Sequence, residues 1–252
     1  MKRAIILGGG FGKRLSPATL ITNKHLLPLY SEKDGAIPMI FFPIATLKNS
    51  GIENILIITS RDHCGHMVQT LGDGQELGVD LSYKIQEMDR KPTGIAQALK
   101  LTQSFVKDES FAVILGDNYY EDTFVDQLRD FAKMSKINKE VASIFLKEVK
   151  DPERFGVATT DESGNVIEIE EKPLKPKSNK AVTGLYLYTD HVFSLIPSLR
   201  VSGRGELEIT DINNWYVKNN TMQSYNLEGF WSDMGTPSSM LYTQHFINSI
   251  KR

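Results

Sequence analysis

Short apolar runs, each closed by a glycine- or asparagine-containing break, set the pattern of the first half of the chain. Residues 4–7, Ala-Ile-Ile-Leu, read as a buried strand that stops at Gly8-Gly9-Gly10. The β-branched run 55–59 has the composition of a central parallel strand, and 81–85 and 111–115 repeat the pattern. Between them the spacing of apolar positions predicts helices over 39–48, 63–71 and 94–106, the last with Ile95, Ala98, Leu99 and Leu101 as its apolar positions. Strand and helix signals in alternation predict an α/β fold, a Rossmann-like domain with a mostly parallel central sheet and helices on both faces. The second half is richer in strand signals, at 141–149, 156–160, 166–170, 182–188 and 222–227, with helices expected over 206–217 and 238–250. The one Pro/Lys-rich stretch, residues 172–177, is too short for a linker and reads as a loop. A single domain over 1–252 is expected, its character changing near residue 120.

Composition narrows the class. The 252 residues are 40% hydrophobic with a formal net charge of -2. That is ordinary for a soluble globule and lacks the basic excess of a nucleic-acid or membrane surface. Cys64 is the only cysteine, which rules out an intrachain disulfide and suits a reducing, cytoplasmic setting. The run 4–7 is too short for a signal-peptide core, and nothing approaches the ~20 apolar residues of a membrane span.

The glycine-rich segment Gly8-Gly9-Gly10-Phe11-Gly12-Lys13-Arg14 follows the first strand, where ligands bind in open α/β sheets. Glycines let backbone approach a base or phosphate, and Arg14 adds a fork of donors for phosphate oxygens. Two common nucleotide motifs do not fit. A dinucleotide fingerprint starting at Gly8 would need glycine at Lys13, and a P-loop ending at Gly12-Lys13 would need Gly and Ser/Thr at Leu7 and Arg14.

The next segment, Leu15-Ser16-Pro17-Ala18-Thr19 through Asn23-Lys24-His25-Leu26-Leu27-Pro28, continues the glycine loop in a recognisable way. Together they resemble the opening signature of sugar-1-phosphate nucleotidylyltransferases, most closely the glucose-1-phosphate thymidylyltransferases. Further strings occur in the family's order: Gly94-Ile95-Ala96-Gln97-Ala98, Leu115-Gly116-Asp117-Asn118, Glu153-Arg154-Phe155-Gly156-Val157, Glu170-Glu171-Lys172-Pro173, Ala181-Val182-Thr183-Gly184-Leu185-Tyr186, Arg204-Gly205-Glu206-Leu207-Glu208-Ile209-Thr210 and Trp231-Ser232-Asp233-Met234-Gly235-Thr236. The resemblance implies an enzyme that joins dTTP or UTP to a sugar 1-phosphate, normally glucose 1-phosphate, releasing pyrophosphate. It implies residues 1–120 as a nucleotide-binding half, residues 121–252 as a sugar-phosphate half with a terminal helix, and a homo-oligomer.

The reaction brings two anionic reactants together, so screening of charge and in-line alignment are the tasks of the site. On its residues alone, Asp117 is better read as a turn aspartate in Gly-Asp-Asn, and Arg14 and Lys24 as solvated charges. The resemblance instead makes Asp117 and Asp233 the ligands of Mg²⁺, and Arg14 and Lys24 the cations for the triphosphate. It assigns the nucleotide to Leu7, Gly9, Gly10, Gly12, Gln86 and Gly94 besides these. It assigns the sugar phosphate to Asn118, Gly156, Glu171, Lys172, Gly184 and Arg204, with Thr210 nearby. Neighbours on a strand face opposite ways, so Glu170 and Glu171 cannot share the site, and the family pattern selects Glu171.

The chain departs from that pattern at several points. Lys13 replaces a small polar residue, 31–36 looks like an insertion, and Ile37 stands where lysine is common. The loop from Gln86 to Gly94 is longer than usual, which leaves dTTP and UTP open. Longer bacterial relatives carry a further C-terminal helical segment that contributes to an end-product regulatory site, so weak feedback by that route is expected here. A nicotinamide oxidoreductase is disfavoured by the misfit glycine motif. A non-catalytic nucleotide-sugar binder is disfavoured by the joint presence of Arg14, Lys24, Asp117 and Asp233. His63-Cys64-Gly65-His66 offers only three metal-ligand candidates and reads as a helix start or surface segment.

Overall fold

Strands form where the β-branched and apolar runs lie. A computed structural model of the chain describes residues 1–10, 12–87 and 91–250. In chain order the strands are β1 (Arg3–Leu7), β2 (Pro28–Ser31), β3 (Gly35–Pro38), β4 (Asn54–Ser60), β5 (Asp80–Gln86), β6 (Phe111–Leu115), β7 (Asn118–Tyr120), β8 (Ala142–Glu148), β9 (Gly156–Thr160), β10 (Val166–Glu171), β11 (Lys180–Tyr188), β12 (Met222–Asn226) and β13 (Trp231–Asp233). The helices are α1 (Phe41–Asn49), α2 (Arg61–Leu71), α3 (Ile95–Lys100), α4 (Gln103–Val106), α5 (Val125–Ile137), α6 (Val192–Leu195), α7 (Ile209–Lys218) and α8 (Pro237–Ser249). Contacts gather them into two compact units. One holds β1–β5, β7, β13, α1, α2 and α8; the other holds α3–α7 and β8–β12; β6 has residues in each.

In the first unit β1, β4 and β5 pair in parallel, Ile5 opposite Leu56 and Ile57 opposite Tyr83. Ala4, Ile5, Ile6, Ile55, Ile57 and Ile58 are fully buried, as expected of parallel strands covered on both faces. The segment 31–36 that looked inserted is the end of a hairpin, with Ser31 opposite Gly35. Its outer strand does not leave its amides bare, because α8 supplies side-chain partners. The Tyr30 and Glu32 N–H groups donate to Gln244 Oε1 (3.0 Å) and Asn248 Oδ1 (2.8 Å), and Asn248 Nδ2 donates to the Tyr30 carbonyl (3.0 Å). The start of α8 is fixed by a capping box between Thr236 and Ser239. β7 and β13 pair antiparallel with Asp233 opposite Asn118, above a cluster of Leu15, Leu29, Met39, Tyr119 and Met234.

In the second unit the strands run in the order β10-β9-β11-β8-β12, antiparallel except for β12 beside β8. This is the β-rich part expected from the sequence. The α7 helix packs on β10, and Asn214 completes the strand by accepting from the Ile169 N–H (2.9 Å) and donating to its carbonyl (2.7 Å). The buried Tyr188 hydroxyl donates to Asn213 Oδ1 at 2.6 Å.

The structure corrects two expected helices. The helix expected over 94–106 is broken into α3 and α4, because the Thr102 hydroxyl bonds the Leu99 carbonyl at 2.7 Å and competes with the helical ladder. The helix expected from 206 begins at Ile209, because Leu207 is drawn into extended pairing with Thr93 (N–H to carbonyl, 2.8 Å). The α5 helix was not anticipated, although Leu128, Phe131 and Ser135 are buried at helical spacing. By contacts, α3 and α4 group with the later strands, and β13 and α8 with the earlier ones. Among the described residues no helix is long and apolar enough to cross a membrane.

Candidate active site

The glycine loop leaves β1 with the Gly8 N–H donating to the Ile58 carbonyl at 2.7 Å. Gly12 sits at φ +60, and a Cβ there would lie 2.8 Å from Thr19 Cγ2, so conformation and packing both require glycine. Thr19 Oγ1 closes the turn on the Gly12 carbonyl at 2.9 Å. A 3-10 turn, Lys13–Leu15, then buries Leu15 and leaves Arg14 exposed.

A further 3-10 turn, Lys24–Leu26, carries the central ion pair. Lys24 Nζ contacts Asp117 Oδ2, with the two side chains only 17% and 10% exposed. Asn23 organises the turn. Its Oδ1 accepts from the His25 N–H (2.9 Å) and lies 2.7 Å from His25 Nδ1, and its Nδ2 donates to the Gly8 carbonyl (3.0 Å). One buried amide thus ties the glycine loop to the turn that aims Lys24. Burial, then the charge of Lys24, pushes the His25 imidazole down to about 3, so it is neutral near pH 7. Burial alone would raise the Asp117 carboxyl. The charge of Lys24 and hydrogen bonds from Lys24 and Asn118 outweigh it and hold the group well below the usual range, as a carboxylate.

Asp117 is also bound to the second carboxylate strand, because the Met234 N–H donates to its carbonyl at 2.6 Å. Asp233 ends that strand. A methyl on Gly235 would lie 3.0 Å from Asp233 Oδ2 and 3.2 Å from Arg14 Nη2, so the absent side chain leaves room where these two groups converge. Asn118, expected in the sugar-phosphate set, is 1% exposed, donates to Asp117 Oδ1 (3.1 Å) and accepts from Trp231 Nε1 (2.7 Å), and so helps to hold Asp117. Gln86, at the end of β5, is buried.

This first unit therefore gathers Leu7, Gly9, Gly10, Gly12, Arg14, Lys24, Gln86, Asp117, Asn118 and Asp233. Gly94, expected with the nucleotide set, belongs to the other unit. It has φ +110, and a Cβ would lie 2.6 Å from the Leu207 carbonyl, so packing accounts for the glycine. A cavity of about 560 Å³ in the first unit, lined among others by Phe41, Phe42, Tyr119, Tyr120 and Ile247, includes none of the expected site residues.

The second unit holds Gly156, Glu171, Lys172, Gly184 and Arg204. Glu171 lies at the centre of this group. Its Oε2 accepts from Thr210 Oγ1 at 2.6 Å, and its Oε1 lies 3.2 Å from Arg204 Nη2 and 3.5 Å from Lys172 Nζ. A Cβ on Gly156 would meet both Glu171 Oε2 and Thr210 Oγ1 at 3.5 Å, so glycine keeps that face of the carboxylate open. Lys172, at φ +47, turns the chain directly after β10. Arg204 is engaged by Glu206 and Glu208 as well. Asn23, His25, Ser202, Glu206 and Glu208 were not singled out from the sequence, since polar residues beside a motif are ordinarily surface groups.

The first unit thus carries a glycine loop with adjacent cations and a buried carboxylate at a strand end, and the second a carboxylate–guanidinium cluster. The family model for nucleotidyl transferase matches residues 3–249, and the chain belongs to that family. Within it the chain is similar to the glucose-1-phosphate thymidylyltransferases of Neisseria meningitidis serogroup A (37% identity over 99% of this chain and 83% of that protein) and of Xanthomonas campestris (39% over 99% and 82%). A Bacillus anthracis protein whose solved structure is named for glucose-1-phosphate thymidylyltransferase shares 45% identity at TM-score 0.88, covering 100% of this chain and 97% of that one. A UDP-glucose pyrophosphorylase complexed with UDP-glucose matches at TM-score 0.81 and 21% identity, covering 98% of each chain, a likeness of fold.

Proposed function

We propose that the chain transfers a nucleotidyl group from dTTP or UTP to a sugar 1-phosphate, in the simplest case glucose 1-phosphate, giving a nucleotide sugar and pyrophosphate. The observation that carries this reading is the buried Lys24–Asp117 pair, tied through Asn23 to the glycine loop. The names of the relatives support it independently. The nucleotide is assigned to the unit of Arg14, Lys24, Gln86 and Asp117. The sugar phosphate is assigned to the unit of Glu171, Lys172 and Arg204.

In the reaction a phosphate oxygen of the sugar phosphate attacks the α-phosphorus. A new P–O bond forms as the bond to the bridging oxygen of the β-phosphate breaks, and pyrophosphate leaves with that electron pair. Arg14 and Lys24 lower the repulsion between the anions. Arg204 and Lys172 hold the attacking phosphate, and Glu171 accepts from sugar hydroxyls. No side chain needs to act as a nucleophile.

The family implies Mg²⁺, which takes one or two carboxylates and completes its shell with water and substrate phosphates. The donor set fits: Asp117 is held ionised, and Asp233 lies on the strand paired with that of Asn118. Asp117 and Asp233 would hold the ion, and when bound it neutralises charge on the triphosphate. Pyrophosphate release from glucose 1-phosphate with dTTP, UTP, CTP and ATP in turn tests the reading. Release with one or two pyrimidine triphosphates is expected, and release that does not require the sugar phosphate would contradict it. A homo-oligomer, dimer or tetramer, belongs to the same reading and is checked by light scattering.

A further inference from the structure

The Arg204 guanidinium is held along one edge. Its Nε donates to Glu208 Oε1 at 3.1 Å and its Nη2 to Glu208 Oε2 at 2.7 Å, a side-on bidentate pair. Nη2 also reaches Glu171 (3.2 Å) and Glu206 (3.3 Å), while Nη1 donates to no protein atom among the described residues. Of the three carboxylates, Glu208 is the most enclosed, at 12% exposure against 25% for Glu171 and 40% for Glu206. It stands at the N-cap of α7, a fixed element, whereas Arg204 lies on the loop before it. Ser202 locks the arrangement: its Oγ donates to Glu208 Oε1 at 2.7 Å and accepts from the Arg204 N–H at 3.2 Å. Glu171 cannot serve as this anchor, because Thr210 holds its other oxygen and, on the reading above, it is needed by the sugar.

We propose that Glu208 is a positioning residue for the sugar phosphate: it grips Arg204 side-on and presents the remaining Nη1 edge to the phosphate. The proposal rests on the assignment of Arg204 to that phosphate. A long arginine on a loop is otherwise free among many rotamers, and fixing it beforehand removes the ordering cost from the binding step. The mutual pull of the pair is visible in both groups. The hydrogen bond to Glu208 raises the Arg204 pKa, and bonds from Arg204 and Ser202 outweigh burial to lower that of Glu208.

The test is steady-state kinetics of the full chain with Glu208→Ala, Glu208→Gln, Ser202→Ala and Arg204→Ala, each first checked for native circular dichroism. Glu208→Ala is expected to raise KM for glucose 1-phosphate on the order of tenfold, the scale of a hydrogen bond to a charged group. KM for the triphosphate should stay unchanged and kcat should move little. Glu208→Gln, which keeps one acceptor, should recover most of the loss, and Ser202→Ala should shift the same KM by about twofold to threefold. If Glu208→Ala does not fold, the last two variants carry the test. An unmoved KM in the Glu208 and Ser202 variants, with a raised KM in Arg204→Ala, would overturn the proposal and leave the assignment of Arg204 intact. An unmoved KM in Arg204→Ala would overturn that assignment itself. A lowered KM in Glu208→Ala would make Glu208 a competitor of the phosphate and also overturn the proposal.

Discussion

Replacing His25 with glutamine isolates one buried group whose charge state differs between folded and unfolded chains. His25 is 1% exposed, wedged beside Gly116, and its imidazole is pushed down to about 3 by burial and by Lys24. In the unfolded chain it titrates near ~6.5. Between those values the unfolded chain binds a proton that the folded chain refuses. Its contribution to stability is therefore complete above about 6.5 and is lost progressively as the pH falls toward 3. The slope approaches about 1.4 kcal/mol per pH unit, so the loss by pH 5 is about 2 kcal/mol. Asp117, held below its usual range, acts in the same direction, but only once the pH falls below about 4, where unfolded carboxylates protonate. The window from pH 7 to 5 thus belongs to the imidazole. Urea unfolding of both proteins at pH 7 and pH 5 measures it. Glutamine changes packing equally at both pH values, so the difference between the two losses is the relevant quantity. The variant should lose about 2 kcal/mol less than the parent. Equal losses would mean that His25 is not held neutral by burial and would refute the reasoning.

Other substitutions test separate parts of the structure. Lys24→Met leaves the Asp117 carboxylate buried without its cation. It should lower pyrophosphate release about a hundredfold or more, as loss of a preorganised charge typically does, and less than fivefold in a folded variant would contradict the role given to Lys24. Thr236→Ala removes the cap of α8 and should cost about 1 kcal/mol, seen as a Tm lower by about 2–4 °C, with turnover retained. Gly94→Ala forces an L residue to φ +110 with its Cβ 2.6 Å from the Leu207 carbonyl. A loss of at least about 1–3 kcal/mol in urea unfolding is expected, and an unchanged midpoint would count against the packing described there.

The parts of this structure that were legible in the sequence are those in which one physical signal dominates. The runs of β1, β4 and β6 are buried on both faces and read as strands directly, and Gly12 announced a turn. Motif order brought Lys24 and Asp117 forward, although 93 positions separate them. What was not legible depends on tertiary pairing. Glu206 and Leu207 have helical neighbours but are taken by Thr93, and Thr102 interrupts a helix through its own hydroxyl. The partners of Asn118 were not legible for the same reason, because Trp231, which donates to its oxygen, lies more than a hundred residues away. Glu208 carried no signal of its own, because a glutamate two residues after another glutamate reads as a solvated helix start until its partner Arg204 is seen.

The most direct test is to identify the products. The protein would be incubated with Mg²⁺, glucose 1-phosphate and either dTTP or UTP, followed by phosphorus NMR, with Asp117→Ala run in parallel. One nucleotide sugar should appear for each pyrophosphate with at least one of the two triphosphates, and neither product should accumulate with the variant. Pyrophosphate released together with free nucleoside monophosphate, or equal turnover by Asp117→Ala, would contradict a nucleotidyl transfer centred on that carboxylate.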